Sequence, residues 1–185
     1  NNAVDAMPTG GTLRVEARAA ELIDGCCPRC RRLENGDVCL IRVTDDGSGM
    51  DRDDLALAVE RHATSKLQDD GLSAILTLGF RGEALPSIGA VARLTIMSRV
   101  RGADKAYEIA VDGGRKAPIK PAAIGGGTRI EVRDLFYATP ARLKFMKSER
   151  AESGAIADIV KRLALAKPEI AFSLVNSDRT VLRLE

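Results

Sequence analysis

Gly79-Phe80-Arg81-Gly82-Glu83-Ala84-Leu85, read together with Asp45-Asp46-Gly47-Ser48-Gly49, is the stretch around which the chain is organised. Both segments are spaced by glycine, and both fall where a regular element stops. Glycine lacks a Cβ and permits positive φ, so the backbone can come close to a ligand there. The Gly79 stretch opens into a helical run from Ala84 to Val91, whose first N–H groups have no partner within the helix. Such a terminus favours anions, phosphate above all. The Asp45 stretch is too poor in lysine to be a phosphate loop of the Walker type. A buried carboxylate beside two glycines suits a different task, accepting a hydrogen bond from a base amine. The two loops together are expected to form a nucleotide site.

Composition sets the frame for that reading. At 185 residues the chain fits one domain, with room for the start of another, and can bury a real core. Its net charge of +2 gives no global pull toward nucleic acid or an acidic membrane, so any such surface must be local. No apolar run reaches the roughly 18 residues needed to cross a bilayer, and no signal peptide is visible. Both termini read as cut, the first inside a helix and the last inside a strand-like run. Cys27-Pro28-Arg29-Cys30 has the spacing of half a zinc site, but the matching second pair is missing. Cys26 and Cys39 would complete four thiolates only in an unusual geometry. Reduced, unligated thiols in an inserted hairpin tip are the expectation.

Taken in order, Asn1 to Met7 is the last turn of a helix, stopped by Pro8 and Gly10-Gly11. Thr12 to Arg18 alternates as a strand, with Leu13, Val15 and Ala17 on one face. Ala19 to Asp37 reads as a polar loop, and Val38 to Thr44 as a strand that delivers the chain to Asp45. Asp51 caps a helix through Glu60, with Asp54 echoing a capping box and Leu55, Ala58, Val59 and His62 facing inward. Residues 62–83 are long for a connection in a compact domain, which usually marks a functional or mobile segment. Strands follow at Val91–Arg99, Lys105–Val111, Arg115–Lys120 and Thr128–Arg133. Glu149 to Lys167 is an amphipathic helix with Ile156, Ile159, Val160, Leu163 and Leu165 as its apolar positions. A hairpin over Ala171–Val175 and Thr180–Leu184 closes the chain. Helices segregated around mostly antiparallel strands make the class α+β.

Single residues say less. Asn2 offers an amide oxygen suited to Mg²⁺, although an Asn near a helix end is ordinarily a cap or a surface residue. Thr64-Ser65-Lys66 offers two hydroxyls and an ammonium suited to phosphate oxygens, or simply a solvated loop. His62, the only histidine, suits a satisfied, half-buried polar group better than a catalyst. Arg142, Lys144, Lys147 and Arg150 form a local basic patch, either a solvated face or a contact for a phosphate backbone.

The order of these pieces carries more weight than any one of them. Asn2, then Asp45-x-Gly47-x-Gly49, then a glycine-flanked lid, then Gly127-Thr128 resembles the GHKL ATPase superfamily. Within that group Arg61-His62-Ala63-Thr64-Ser65-Lys66, Gly79 to Leu85, and Thr128 through Leu135-Phe136-Tyr137-Ala138-Thr139-Pro140-Ala141-Arg142 look like the MutL mismatch-repair family. The resemblance implies a two-layer α/β sandwich of the Bergerat type, with a mixed, mostly antiparallel sheet and helices on one face. It implies a GHKL ATPase domain over 1–167 that lacks its N-terminal helix. Residues 168–185 would then end that domain or begin the next.

The resemblance also implies a site that binds and hydrolyses ATP. Asn2 would ligate Mg²⁺, and Asp45 would accept the adenine amine, with Gly47 and Gly49 giving the base room. Thr64, Ser65 and Lys66 would lie in the ATP lid. Arg81, Gly82, Glu83, Ala84 and Leu85 would wrap the phosphates, and Thr128 would support the adenine end. The general-base Glu is expected one helical turn before Asn2, outside this chain, and a lysine reaching the γ-phosphate beyond Glu185. DNA, met through Arg142, Lys144, Lys147 and Arg150, a MutS-like mismatch-recognition protein and a second copy of the chain are the implied partners. The implied setting is the bacterial cytoplasm, near the nucleoid.

Some features depart from the family. Asp5 to Leu13 and Val43 to Met50 look instead like a bacterial histidine kinase, the Ala138 position is commonly Asn, and the cysteine loop has no counterpart in the family. A histidine-kinase-like ATP-binding domain and a non-hydrolysing DNA-binding module are therefore the alternative readings.

Overall fold

Strand alternation in this chain propagates across the sheet as continuous rows of side chains. The computed structural model describes residues 2–21, 37–61, 82–177 and 179–185. The elements are α1 (Asn2–Asp5), β1 (Gly11–Glu21), β2 (Asp37–Asp45), α2 (Arg52–Leu57), α3 (Ala84–Val91), β3 (Arg93–Arg99), β4 (Ala106–Asp112), β5 (Arg115–Lys116), β6 (Lys120–Ala122), β7 (Gly127–Arg133), α4 (Pro140–Leu143), α5 (Glu149–Ala166), β8 (Ile170–Asn176) and β9 (Arg179–Leu184). The strands form one sheet in the order β5-β4-β3-β7-β2-β1-β8-β9, with β6 also paired to β4. Every pairing is antiparallel except β1 with β8.

Cross-strand partners share a face. Leu174, Val15, Val43, Ile130, Ile96 and Ile109 therefore make one apolar row across six strands. That face carries the helices. Val4, Met7, Ala157, Val160 and Ala164, from α1 with the turn after it and from α5, pack on Leu13, Val15, Ile170, Phe172 and Leu174. Leu55 and Val59 join Leu94, Ile96, Ile109 and Val111 in a second cluster, against which Leu85 and Ile88 of α3 are packed. Each fully buried large side chain in these clusters contributes about 1.5–3 kcal/mol from removal of apolar area from water. The opposite face is charged, with Glu16, Arg42 and Glu131 in register across β1, β2 and β7. The architecture is the expected α+β sandwich with a mixed, mostly antiparallel sheet and helices on one face.

Several elements differ from the sequence expectation for physical reasons. β1 runs on through Glu21 and β2 begins at Asp37, because the two strands pair without a break from Leu13↔Asp45 to Glu21↔Asp37. Ala19, Ala20 and Glu21 therefore continue the ladder where a loop was expected. The segment 115–120, read as one strand, splits into β5 and β6 around Pro118, which has no N–H to donate to a ladder. α2 stops at Leu57, short of Glu60, although Asp51 caps it as expected, accepting from the amides of Asp53 and Asp54. α4 was not anticipated.

In α5 the buried stripe is Ala157, Val160 and Ala164, at the i, i+3, i+7 spacing of one helical face. Ile156 and Leu163 flank it. Ile159 and Leu165, read as inward positions, are 60% and 84% exposed. Residues 168–185 extend the same sheet through β8 and β9.

Candidate nucleotide site

The inner face of the sheet changes character at one end. The row Phe172, Leu13, Asp45, Thr128, Ser98 and Tyr107 crosses the same strands as the apolar rows, yet its centre is polar. Asp45, Thr128 and Ser98 are all buried. Asp45 ends β2 and faces Thr128 of β7, which in turn faces Ser98 of β3.

Buried polar groups need partners, and these have them. The Gly47 amide donates to Asp45 Oδ1 at 3.0 Å. Burial raises the Asp45 carboxyl above its ordinary 3.8; the amides of Gly47 and Thr128 work against that rise, and the nearby Asp46 charge adds to it. Ser98 Oγ accepts from the Met50 amide at 2.8 Å, donates to the Gly127 carbonyl at 3.1 Å, and lies 3.0 Å from Thr128 Oγ1.

The loop after Asp45 is held from three directions. The Ser48 amide donates to the Ala6 carbonyl at 3.1 Å, just after α1. Asp46 Oδ1 accepts from the Thr12 amide of β1 at 2.7 Å. Beyond β3, the Arg101 amide donates to the Ser48 carbonyl at 3.0 Å, and the Arg101 guanidinium donates to the Asp46 carbonyl. Glycine is required within the loop by its own packing. A Cβ on Gly47 would lie 2.9 Å from Ala6 Cβ, and one on Gly49 would lie 2.0 Å from the Arg99 carbonyl oxygen. The Asp45 loop and the helix that carries Asn2 are thus joined through Ala6.

At the other part of the expected site, Gly82 takes φ +60° and Glu83, Ala84 and Leu85 lead into α3. Glu83 stands at the N-cap and makes no side-chain capping bond. As first-turn amides, those of Ala84 and Leu85 have no partner within the helix, and an anion is a natural complement to such groups. Arg142, Lys144, Lys147 and Arg150 are all exposed along α4, the following turn and the start of α5, with Glu149 and Glu152 interleaved. Thr64, Ser65, Lys66 and Arg81 lie outside the described residues, as do His62, Cys26, Cys27 and Cys30; for Asn2 only the backbone, within α1, is described.

The donor set fits a purine nucleotide. A carboxylate and a hydroxyl sit side by side at one end of the sheet's inner face, and the first-turn amides of α3 are of a kind suited to phosphate. Among the described residues no group of three or more His, Cys, Asp or Glu side chains could hold a metal by itself. Mg²⁺ commonly takes one or two protein ligands and completes its shell with water and substrate phosphates, so that finding is compatible with a shared metal. Ser98 escaped the sequence reading. Its signal was there, because Leu94 and Ile96 mark the inward positions of β3 and the next one, Ser98, is polar.

No protein-family model matches the chain. It is 66% identical over 143 residues to the DNA mismatch repair protein MutL of Azorhizobium caulinodans, which takes in 77% of this chain and 23% of that protein. It is 62% identical over 152 residues to the MutL protein of Paramagnetospirillum magneticum, covering 82% of this chain and 25% of that protein. The chain thus spans about a quarter of the length of these curated relatives. The solved Aquifex aeolicus MutL ATPase domain complexed with ADP aligns with 100% of this chain at a TM-score of 0.73 and 28% identity, and 59% of that structure is covered. The described elements before Met50, α1, β1 and β2, belong to this one sheet and its core. The chain belongs to the MutL family of DNA mismatch-repair proteins, in the region that folds as their N-terminal ATPase domain.

Proposed function

We propose that this chain binds ATP with Mg²⁺ and hydrolyses it to ADP and phosphate in the service of DNA mismatch repair. The observation that carries the reading is the pairing of Asp45 with Thr128, buried polar side chains that, with Ser98, interrupt an apolar sheet face. A carboxylate held by two backbone amides has lone pairs left for a base amine. The Gly82–Leu85 turn and the first turn of α3 would hold the phosphates through backbone N–H groups, stabilising charge as it develops. Asn2 would supply the protein ligand to Mg²⁺, whose contribution when bound is to neutralise phosphate charge. Arg81, Thr64, Ser65 and Lys66 would complete the phosphate end.

For the wider protein we infer contact with DNA phosphates through Arg142, Lys144, Lys147 and Arg150, a MutS-like partner, and pairing of two copies when ATP is bound. The exposure of the four basic side chains supports the first of these. Titration calorimetry with a non-hydrolysable ATP analogue and Mg²⁺, on the wild type and Asp45→Asn, tests the core of the reading. Binding that the substitution abolishes supports it. A folded wild-type protein that takes up no analogue overturns it.

A further inference from the structure

We propose that Ser98 is a positioning residue for the base end of the site, acting through Thr128. Resting on the nucleotide reading above, it would set which hydrogen-bonding character the Thr128 hydroxyl presents.

Ser98 is 0% exposed, so its hydroxyl must be satisfied inside the protein. A serine hydroxyl has one hydrogen and two lone pairs. The Met50 amide, 2.8 Å away, fills one lone pair. The remaining neighbours are the Gly127 carbonyl at 3.1 Å, which only accepts, and Thr128 Oγ1 at 3.0 Å, which can do either. If Ser98 gives its hydrogen to Gly127, Thr128 gives its own to Ser98, and all three positions on the serine are used. If Ser98 gives its hydrogen to Thr128, one of its lone pairs stays empty and the Gly127 carbonyl loses a donor. With Ser98 fully buried the first arrangement is favoured, since an unmet buried group costs more than a hydrogen bond returns.

The consequence falls on Thr128. With its hydrogen committed to Ser98, Thr128 Oγ1 offers lone pairs only. Its cross-strand neighbour Asp45, when ionised, also only accepts. The base end then presents two acceptors side by side, matched to a group that carries two hydrogens. The 6-amino group of adenine has them, directly or relayed by a water; the 6-oxo group of hypoxanthine has none. Asp45 supplies the acceptor that the family resemblance anticipates, and Ser98 prevents Thr128 from turning into a donor that would welcome the wrong base.

The test compares non-hydrolysable analogues of ATP and of ITP, with Mg²⁺, by calorimetry on the wild type, Ser98→Ala, Thr128→Val and the double variant. Loss of one hydrogen-bond match of this kind corresponds to about tenfold in affinity. We expect Ser98→Ala to narrow the preference for the ATP analogue by about that factor. We expect no further narrowing when it is added to Thr128→Val, because the residue it acts through is gone. Ser98→Thr, which keeps the hydroxyl, should restore the preference; should its extra methyl prevent folding, the double-variant comparison decides alone.

A wild type that binds neither analogue overturns the nucleotide reading. A wild type that prefers the ATP analogue, with Ser98→Ala equally selective and equally folded, overturns the role of Ser98 only. Additive effects of Ser98→Ala and Thr128→Val also overturn it, since a purely structural role predicts that result.

Discussion

Gly49 turns with φ +73° directly over the carbonyl of Arg99, close enough that a Cβ would stand 2.0 Å from the oxygen. The Asp45 loop is seated on the end of β3 at this point, and no side chain has room there. Gly49→Ala must both hold a left-handed backbone and displace a strand carbonyl, so a loss of about 3 kcal/mol or more is expected. Gly102 has φ +83° and open space around its missing Cβ. Gly102→Ala should therefore cost only the backbone strain, about 1 kcal/mol. Denaturant midpoints of the two variants, with unchanged slopes, check the contrast. Equal losses would mean that the close approach at Gly49 is not what the loop depends on.

Asp45→Asn separates folding from binding. An Asn oxygen can still accept from the Gly47 amide, so the loop keeps that bond, while its NH₂ turns a donor toward a base amine. Burial raises the carboxyl above its ordinary 3.8. For an acid with a raised folded value, its stabilising contribution is fully present below the unfolded value and is lost as pH rises through the folded one. At pH 7 the wild type thus bears the cost of a buried charge that the Asn variant lacks. The variant is expected to melt no lower than wild type at pH 7 and to bind no ATP analogue. A variant that binds the analogue normally would remove Asp45 from the base site.

That Asp45 stood out in the sequence, Thr128 only through the family resemblance and Ser98 not at all has a physical origin. Asp45 sits in a glycine-spaced loop whose oddity survives without coordinates, whereas the glycines before Thr128 mark only the entry to a strand. A single serine in a strand has no such mark, and its meaning arises only when β3 is laid beside β7. The strand alternation of Leu13, Val15 and Ala17 gave the inward face directly. The helix α5 did not yield as easily, because its contact stripe is set by Ala157 and Ala164, small enough to let the helix approach the sheet. A reading weighted by side-chain size picked Ile159 and Leu165, which point away.

The charged face of the sheet predicts acid sensitivity. Arg42 bonds Glu131 Oε1 at 2.8 Å and Glu16 Oε2 at 2.9 Å, while Arg133 and Arg14 reach the same two carboxylates. Burial on its own would raise both, but the guanidinium partners win and hold Glu16 and Glu131 below their ordinary 4.5. A depressed folded value means stability that is present above 4.5 and lost as pH falls through the folded value. Glu131→Gln leaves the half-buried Arg42 without its closest charge and should cost about 2 kcal/mol at pH 7. It should also flatten the fall in stability on acidification below pH 4.5. Arg183→Gln breaks a pair in which both side chains are over 70% exposed, and less than about 0.5 kcal/mol is expected. Melting curves from pH 3 to pH 7 compare the two; an unchanged acid limb in Glu131→Gln would count against the network.

The last prediction concerns the turn after β7, where Asp134 and Phe136 take φ +53° and +68°. Tyr137 donates its hydroxyl to Asp112 of β4, and its ring covers the Arg93 guanidinium with 5.0 Å between the Arg93 carbon and the ring centre. Arg93 in turn bonds Asp134 at 2.7 Å, so the ring, the guanidinium and two carboxylates tie this turn to β3 and β4. Burial, then the bond to Asp112 and its negative charge, push the phenol up to about 12 from its ordinary 10.0. Stability linked to this group is therefore fully present below pH 10 and is lost as pH rises toward 12. An ultraviolet titration should show a phenol ionising near pH 12 that is missing in Tyr137→Phe. That variant keeps the ring over Arg93 and loses the hydroxyl's bonds to Asp112 and Arg93, so its cost should be about 1–2 kcal/mol. Tyr137→Ala loses the ring as well and should cost about 1 kcal/mol more than that. If the two variants are equally stable, the ring over Arg93 contributes nothing and the turn is held by the Arg93–Asp134 pair instead.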